Sequence, residues 1–467
     1  MAPLNEKSRA RWALGITSAA AFMVTLDSLV VSTALPVIRR DLHASLQSLE
    51  WTVNAYTLTF AVLLLTGAAL GDRFGRRRLL AAGLSLFTVA SAAAALAPDT
   101  PALVVARALQ GVGGAVVLPL TLTILSAAMP KEKRTAAIGI WGAVSGLAVA
   151  LGPVVGGAIV DGISWHWIFW LNVPIGVALV PLSLRRLDES YGRDAALDLR
   201  GLVLASVGLF GLVWGVVRSQ SIGWSSGEVV LALAAGAVVF VAFVLWERVA
   251  AEPMLPLRLF RNRTFAAASA STFLMYVGFF GIVFLITQYW QFAHGYSPLG
   301  AGLRILPWTV MPIVVSPIAA AVAQRTGERP LLIAGLGMTA VSIAWLGHVA
   351  TPAAAYSTIL PALVVGGIGM SLFWAPAAGV FLSAVKPEEE GVASGANNAI
   401  RELGGVFGVA ILATIFSSRG SFVSPESFVH GMRPAFEVGA VLIAAACAAA
   451  VALPRRGRQK LEAAYAA

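Results

Sequence analysis

Two acids and one arginine stand deep inside long apolar stretches of this 467-residue sequence: Asp27, Glu402 and Arg107. An arginine within an apolar span costs at least about 2.5–3.5 kcal/mol unless it is paired or hydrated, so such residues are functional by default. Burial favours the protonated form of a carboxyl group, and a nearby guanidinium favours the ionised form. An arginine that approaches and withdraws can therefore make a carboxyl group release and take up a proton. Ionised, the same carboxylates attract cations, so that a proton and a cationic substrate compete for one place. The chemistry expected of Asp27, Arg107 and Glu402 is proton coupling. The plainer alternatives are a permanently paired Asp27 and a Glu402 satisfied by water or by Arg401, although i and i+1 neighbours do not share a helix face.

Depth supports a meeting of Asp27 with Arg107. Asp27 lies about fifteen residues into a stretch entered from one side, and Arg107 about five residues into one entered from the other. At roughly 1.5 Å per residue, both come to rest about 22 Å from the same boundary of a 30 Å hydrocarbon core. They are expected to pair directly or through water.

Two further groups of residues suggest movement. In the short loop Asp72-Arg73-Phe74-Gly75-Arg76-Arg77-Arg78, Gly75 permits a reversal, while Asp72 can pair with an arginine or face a helix dipole and so latch one conformation. In Gly152-Pro153-Val154-Val155-Gly156-Gly157 the small residues allow close helix approach and the proline bends its span. Trp51, Asn54, Tyr56, Gln110, Gln288, Gln291, Trp308, Trp374, Asn397 and Asn398 supply aromatic faces and amides within the apolar stretches, suited to an amphipathic cavity. Interfacial belts and interhelical bonds are the alternative use of such residues.

The elements that carry these groups are membrane spans. Hydrophobic residues make up 58% of the chain and charged ones 12%, and mean hydropathy is +0.81, which leaves little water-facing surface. Apolar runs long enough to cross a bilayer are expected at 13–35, 48–70, 78–97, 102–127, 136–160, 166–185, 197–217, 228–247, 265–290, 299–322, 330–350, 355–384, 390–416 and 434–453, fourteen transmembrane helices in an all-α polytopic protein. The first run is too long for a signal peptide and lacks a cleavage site, so it is read as an uncleaved span. Alternate gaps hold most of the arginines and lysines, among them Arg76 to Arg78, Lys131, Lys133 and Arg134, and Arg258, Arg261 and Arg263. The positive-inside rule then puts both termini in the cytoplasm.

An internal repeat is visible where Arg73, Gly75, Arg77, Leu79 and Leu80 are matched by Arg325, Gly327, Arg329, Leu331 and Leu332. In the same order, Gly111, Gly113 and Pro119 are matched by Gly367, Gly369 and Pro376. The expected organisation is a six-helix bundle over 1–187, two inserted helices with cytoplasmic linkers over 188–263, a second six-helix bundle over 264–453 and a cytoplasmic tail over 454–467. A parallel repeat of this kind places a substrate site near the midplane between the halves.

The same inspection excludes other classes. The net charge of +10 falls in short clusters between apolar runs, which argues against nucleic acid. No Gly-x-x-x-x-Gly-Lys-Ser/Thr loop is present, so ATP is not the energy source; no metal-ligand cluster occurs, and Cys447 is a lone cysteine. No nucleophile, base and orienting group come together, so an enzyme is not expected.

These residues resemble the major facilitator superfamily, and within it the fourteen-spanner drug:proton antiporters of the EmrB/QacA type. The loop Gly71 to Arg77 is similar to the superfamily's loop between spans 2 and 3. Arg107-Ala108-Leu109-Gln110-Gly111-Val112-Gly113 resembles its proton-coupling motif in span 4, and Gly152 to Gly157 its antiporter motif in span 5. Leu26 to Pro36, Trp165 to Pro174 and Gly391 to Asn397 resemble signatures of the fourteen-spanner group. Departures are Ala68 at the opening glycine of the loop motif, His166 for a usual arginine, and Glu402 for a usual glutamine.

The resemblance implies alternating access between two bundles and export of small amphipathic, in part cationic, molecules driven by inward proton flow. It implies no cofactor beyond the proton gradient, the lipid bilayer and protons as partners, and action as a monomer in the cell membrane. A proton-coupled importer and a membrane sensor without flux are the competing readings.

Overall fold

A computed structural model describes residues 6–191, 198–250, 253, 257–385 and 390–454; some side chains within its helices, Glu402 among them, lie outside the described residues. The chain is helical throughout the described residues. It runs through α1 (Glu6–Asp41), α2 (Leu46–Phe74), α3 (Arg76–Ala95), α4 (Thr100–Ala128), α5 (Lys131–Gly162), the short α6 (Trp167–Trp170), α7 (Asn172–Arg186), α8 (Leu199–Ile222) and α9 (Gly227–Val249). It continues through α10 (Arg263–Gln288), α11 (Pro298–Thr309), α12 (Met311–Thr326), α13 (Glu328–Val349), α14 (Tyr356–Ser383), α15 (Glu390–Arg419) and α16 (Pro425–Val451). A 3₁₀ turn, Leu257–Arg261, precedes α10, and a π-helical turn, Tyr289–Ala293, follows it.

Helix starts follow the local sequence. Ser45, Asp99, Asn262 and Ser424 each accept a backbone N–H of the turn they open, and proline follows in the first turn of α4 and α16. Such residues fill the orphan donors of a first turn, and proline has no donor to lose there.

Among the described residues, twelve stretches are long and apolar enough to cross a bilayer, or thirteen when the bent α5 is one span; the expected fourteen is not reached. The two shortfalls are α5 and α2. α5 bends by 44° between Ile140–Val149 and Leu151–Gly162, and Pro153 removes one ladder bond and crowds the carbonyl four residues earlier, that of Val149. α2 is one helix over Leu46–Phe74, and Trp51–Leu64 is its described apolar stretch; the side chains of Glu50 and Leu65 on either side of it lie outside the described residues. Other bounds shift for similar reasons. The span expected at 299–322 is divided into α11 and α12, with Pro307 and Pro312 on either side of the break. Pro434 lies inside α16 instead of opening it, so Arg433 sits within that helix and donates to the Gly347 carbonyl at 3.1 Å. Arg218, one residue past the span expected at 197–217, likewise lies within α8. Lys386, Arg193 and the tail cations Arg455, Arg456, Arg458 and Lys460 lie outside the described residues.

The chain divides into two compact units, one of Met1–Gly215, Ser221–Met254 and Ser297–Leu303, the other of Val216–Gln220, Leu255–Tyr296 and Arg304–Ala467. Lipid gives helices no hydrophobic reason to associate, so close backbone approach through small residues has to supply the packing. In the first unit Gly111 of α4 leaves room for the Tyr56 carbonyl of α2, and Gly113 for the backbone of Gly83 and Phe87 in α3. In the second unit Gly369 of α14 lies in the same way against Gly335 and Thr339 of α13. The repeat read in the sequence thus recurs as the same helix-pair packing in each unit. It recurs again at the turns: Gly75 joins α2 to α3 at φ 102°, and Gly327 joins α12 to α13 at φ 87°, each ending one helix and opening the next.

Candidate functional site

Asp27 lies in the middle of α1 and Arg107 near the start of α4, and the two form an ion pair at 2.5 Å with each residue 1% exposed. Neither charge is left with a single partner. The second carboxylate oxygen of Asp27 accepts from Asn172 Nδ2 at 2.7 Å and from Gln110 Nε2 at 3.2 Å. Gln110 Nε2 also donates to Ser91 Oγ at 2.7 Å. Arg107 donates from Nε to the Thr52 carbonyl at 3.2 Å and from Nη1 to Gln110 Oε1 at 3.0 Å. The Tyr56 ring lies 4.2 Å from the guanidinium carbon and the Phe169 ring 5.8 Å away. Tyr56 is itself held by donating to the Val24 carbonyl at 3.3 Å.

Five elements therefore feed polar side chains or a carbonyl into one buried place: α1, α2, α3, α4 and α7. A buried ion pair is tolerated when its remaining lone pairs and protons are satisfied in this way. The depth-matched pair is thus in direct contact, without an intervening water. Asn172, Ser91 and Thr52 complete the network, and none of them was singled out for it in the sequence. Depth could have found two of them. Asn172 stands about six residues into its span from the same side as Arg107, and Ser91 about thirteen residues into its own from the other side, which is the same level at roughly 1.5 Å per residue.

The loop after α2 uses its residues in two ways. Asp72 pairs with Arg76 at 2.7 Å within the loop. Arg76 and Arg77 turn their backbone N–H groups to the Ser190 carbonyl and the Glu189 carboxylate, both at 2.9 Å. Glu189 thereby caps α3, whose own N-cap, Gly75, has no side chain, and it stands 3.5 Å from Arg77 Nε and 3.6 Å from Arg78 Nε. Glu189 was missed because it lies in the polar segment after α7, where nothing marks it. Arg73 is exposed and lies over the Phe74 ring.

The Gly-Pro segment of α5 lies against α1 and the first turn of α11, all within the first unit. A Cβ at Gly152 would meet Leu29 at 2.8 Å, and one at Gly156 the Val30 backbone at 3.0 Å. A Cβ at Gly157 would meet the Pro298 carbonyl and the Leu299 backbone, and the Pro153 carbonyl lies where Gly302 would carry one. At the end of α5, Asp161 accepts from the Leu299 N–H at 3.0 Å, an acidic cap on α11 that the sequence did not suggest.

The proposed cavity residues separate into groups. Tyr56 and Gln110 belong to the Asp27 network. Asn54 is fully buried and both its amide atoms meet no partner among the described residues, whereas Gln288 turns its amide back to the Phe284 carbonyl of its own helix at 3.2 Å. Trp308 and Trp374 both stand edge to face with Phe279 in the second unit. Trp51, Gln291, Asn397 and Asn398 are partly buried. The backbone of Glu402 lies in α15, and its side chain lies outside the described residues.

Residues 17–264 and 268–465 match the model of the Major Facilitator Superfamily. The chain belongs to this superfamily. Its curated relatives include the tetracenomycin C resistance and export protein of Streptomyces glaucescens, 36% identical over 414 residues that make up 88% of this chain and 77% of that protein. The cephamycin export protein of Amycolatopsis lactamdurans is 36% identical over 462 residues, 97% of this chain and 94% of the relative. Among solved structures, a D-xylose-proton symporter superposes with a TM-score of 0.68 over 95% of this chain and 98% of its own, at 16% identity, a likeness of fold alone. Superfamily membership makes the chain a multi-pass membrane transporter and not an enzyme.

Proposed function

We propose that this protein is a secondary active exporter of small amphipathic molecules, drugs or antibiotics among them, that returns protons across the cell membrane for each molecule expelled. Support comes from the paired, dry Asp27–Arg107 site in a transporter whose relatives are named for resistance and export.

Asp27 holds either the Arg107 guanidinium or a proton as its counter-charge. When the helices rearrange and Arg107 withdraws, the carboxylate takes up a proton from the more acidic side, and Asn172 and Gln110 keep it oriented. When Arg107 returns, the proton leaves to the other side. The paired arrangement is the deprotonated half of this cycle. Glu402 is assigned a second proton or cation site on sequence grounds. Asp72, Arg73, Gly75, Arg76, Arg77, Gly152, Pro153, Gly156 and Gly157 are assigned to gating, and the remaining aromatic and amide residues to the cavity.

The same reading takes the chain as a fourteen-span member of the drug:proton antiporter branch, with both termini cytoplasmic. It has bundles over 1–187 and 264–453 and inserts α8 and α9 between them. Each of the fourteen expected stretches holds a helix, twelve or thirteen of them long and apolar enough among the described residues to cross a bilayer. The protein acts as a monomer and needs no cofactor.

Proton release from energised inside-out vesicles tests the proposal. Addition of a transported compound should release protons in vesicles carrying the wild type and not in those carrying Asp27→Asn. Equal release from both would remove Asp27 from the coupling step, and compound-driven proton uptake in place of release would reverse the direction.

A further inference from the structure

We propose that Phe279, Trp308 and Trp374 form a recognition site for planar compounds bearing hydrogen-bond acceptors, such as quinones and aryl ketones, in preference to organic cations. This rests on the export reading and assigns part of the cargo specificity to the second unit.

Phe279 of α10 packs edge to face with both indoles, with ring centroids 5.7 Å from Trp308 of α11 at 82° and 6.3 Å from Trp374 of α14 at 76°. Phe279 is 6% exposed and Trp308 1%. Both indole N–H groups are buried and meet no acceptor among the described residues. Indole carries one polar atom, and it only donates. A buried donor without a partner is penalised by more than an ordinary hydrogen bond returns, and buried tryptophans normally find one. The chain follows that rule in its first unit, where Trp165 donates to Asp41 at 2.6 Å, Trp246 to Asp198 at 2.8 Å and Trp141 to Thr121 at 3.2 Å. An aromatic face is at best a weak acceptor, so Phe279 does not repair the deficit. Trp290 shares it but has other ring neighbours, Tyr289, His294, Tyr296 and Tyr356.

The indole of Trp308 is fixed by shape. Gly366 of α14 leaves space 3.5 Å from Trp308 Cε2, the atom bonded to the indole nitrogen, and Gly367 leaves space for the Trp308 carbonyl. Two donors thus stand around one ring with nothing among the described residues to receive them. A ligand that completes the site brings a flat face for Phe279 and acceptor oxygens for the indoles. A cationic ring system brings no acceptor and gains nothing from the donors. The aromatic run also continues from Phe279 through Phe280 to Tyr276, which lies under the guanidinium of Arg401 at 5.8 Å, a poor neighbour for a cation.

The test compares anthraquinone-2-carboxylate with anthracene-2-carboxylate, which share charge and skeleton and differ in two carbonyl oxygens. Equilibrium dialysis is run on the purified full-length protein in detergent against empty micelles. The wild type should bind the quinone about tenfold more tightly, and loss of either N–H should remove about three- to tenfold of that preference while leaving anthracene binding unchanged. Trp308→Phe and Trp374→Phe remove the donors. Replacement of either indole by benzothiophene, through 3-benzothienylalanine, removes the N–H and keeps the shape if the phenylalanine variants do not fold. Equal binding of the two probes by the wild type, or equal weakening of both by the benzothienyl variants, overturns the site. Reconstituted vesicles separate this from the export reading. Discrimination in binding without movement of either probe sinks export and leaves the site standing, whereas movement of both probes without discrimination does the reverse.

Discussion

Removing either charge of the Asp27–Arg107 pair has a consequence that can be worked from its surroundings. In Arg107→Gln the carboxylate keeps two amide donors, from Asn172 and Gln110, but loses its counter-charge among the described residues, within a site 1% exposed. Breaking a buried pair from one side costs about 3–5 kcal/mol, because the remaining charge is stranded. In Asp27→Asn the stranded charge is Arg107, which keeps the Thr52 carbonyl, Gln110 Oε1 and the Tyr56 ring, so the lower end of that range, about 3 kcal/mol, applies. The double variant strands nothing: two neutral amides replace two charges, and such exchanges are often neutral. The singles therefore sum to about 6–8 kcal/mol, while the double costs no more than about 3 kcal/mol, a coupling of at least about 3 kcal/mol. Unfolding by SDS titration in detergent micelles, followed by tryptophan fluorescence, measures all four corners. Additive losses, or single losses below about 1 kcal/mol, would mean that the pair is hydrated or dispensable and that the dry counter-charge exchange is wrong. Coupled export should vanish in all three variants, including the stable double.

Glu189→Gln should destabilise by about 1 kcal/mol through loss of the charged cap on α3, with a difference that shrinks as salt is raised; a salt-independent effect would rule out the arginine pairing. Gly157→Ala and Asp161→Asn should each slow turnover by loosening the contact of α5 with the first turn of α11, while ligand binding persists; unchanged turnover would remove this contact from gating. His294 should make stability pH-dependent. Burial, with Arg304 beside it, holds its pKa below the usual 6.5, so the folded protein binds fewer protons than the unfolded chain below that pH. Melting temperature should fall as pH drops below about 6.5 and stay level above it, and His294→Gln should flatten the slope. A slope that survives His294→Gln belongs to another group.

What the sequence disclosed follows from how each signal is written. Apolar length and clustered arginines are long-range signals, and they located the helices well. Depth along a span is also arithmetic, and it brought Asp27 to Arg107. The same arithmetic reaches Asn172 and Ser91, but neutral polar residues in spans have many uses and do not stand out as charges do. Glu189 and Asp161 act as helix caps for segments remote in sequence, a relation that only the folded chain reveals. The span count fell short at the proline-bent α5 and at α2, whose described apolar stretch is confined to Trp51–Leu64. Trp308 and Trp374 were recognisable as aromatic residues in spans, whereas their unanswered N–H groups depend on what the neighbouring helices fail to present.

The single-residue joints at Gly75 and Gly327 set the kinematics of each unit. Between α2 and α3 only one pair of torsions intervenes, so the helices behave as two arms of a crank, 29 and 20 residues in length. At 1.5 Å per residue the longer arm is about 43 Å, and a rotation of about 5° at the joint sweeps its far end through roughly 4 Å. A longer loop would absorb such a rotation as slack. With one residue it is transmitted, so α3 cannot stay still while α2 tilts, and α12 and α13 are geared in the same way about Gly327. An extra residue at either joint would leave every helix intact and put backlash into the machine.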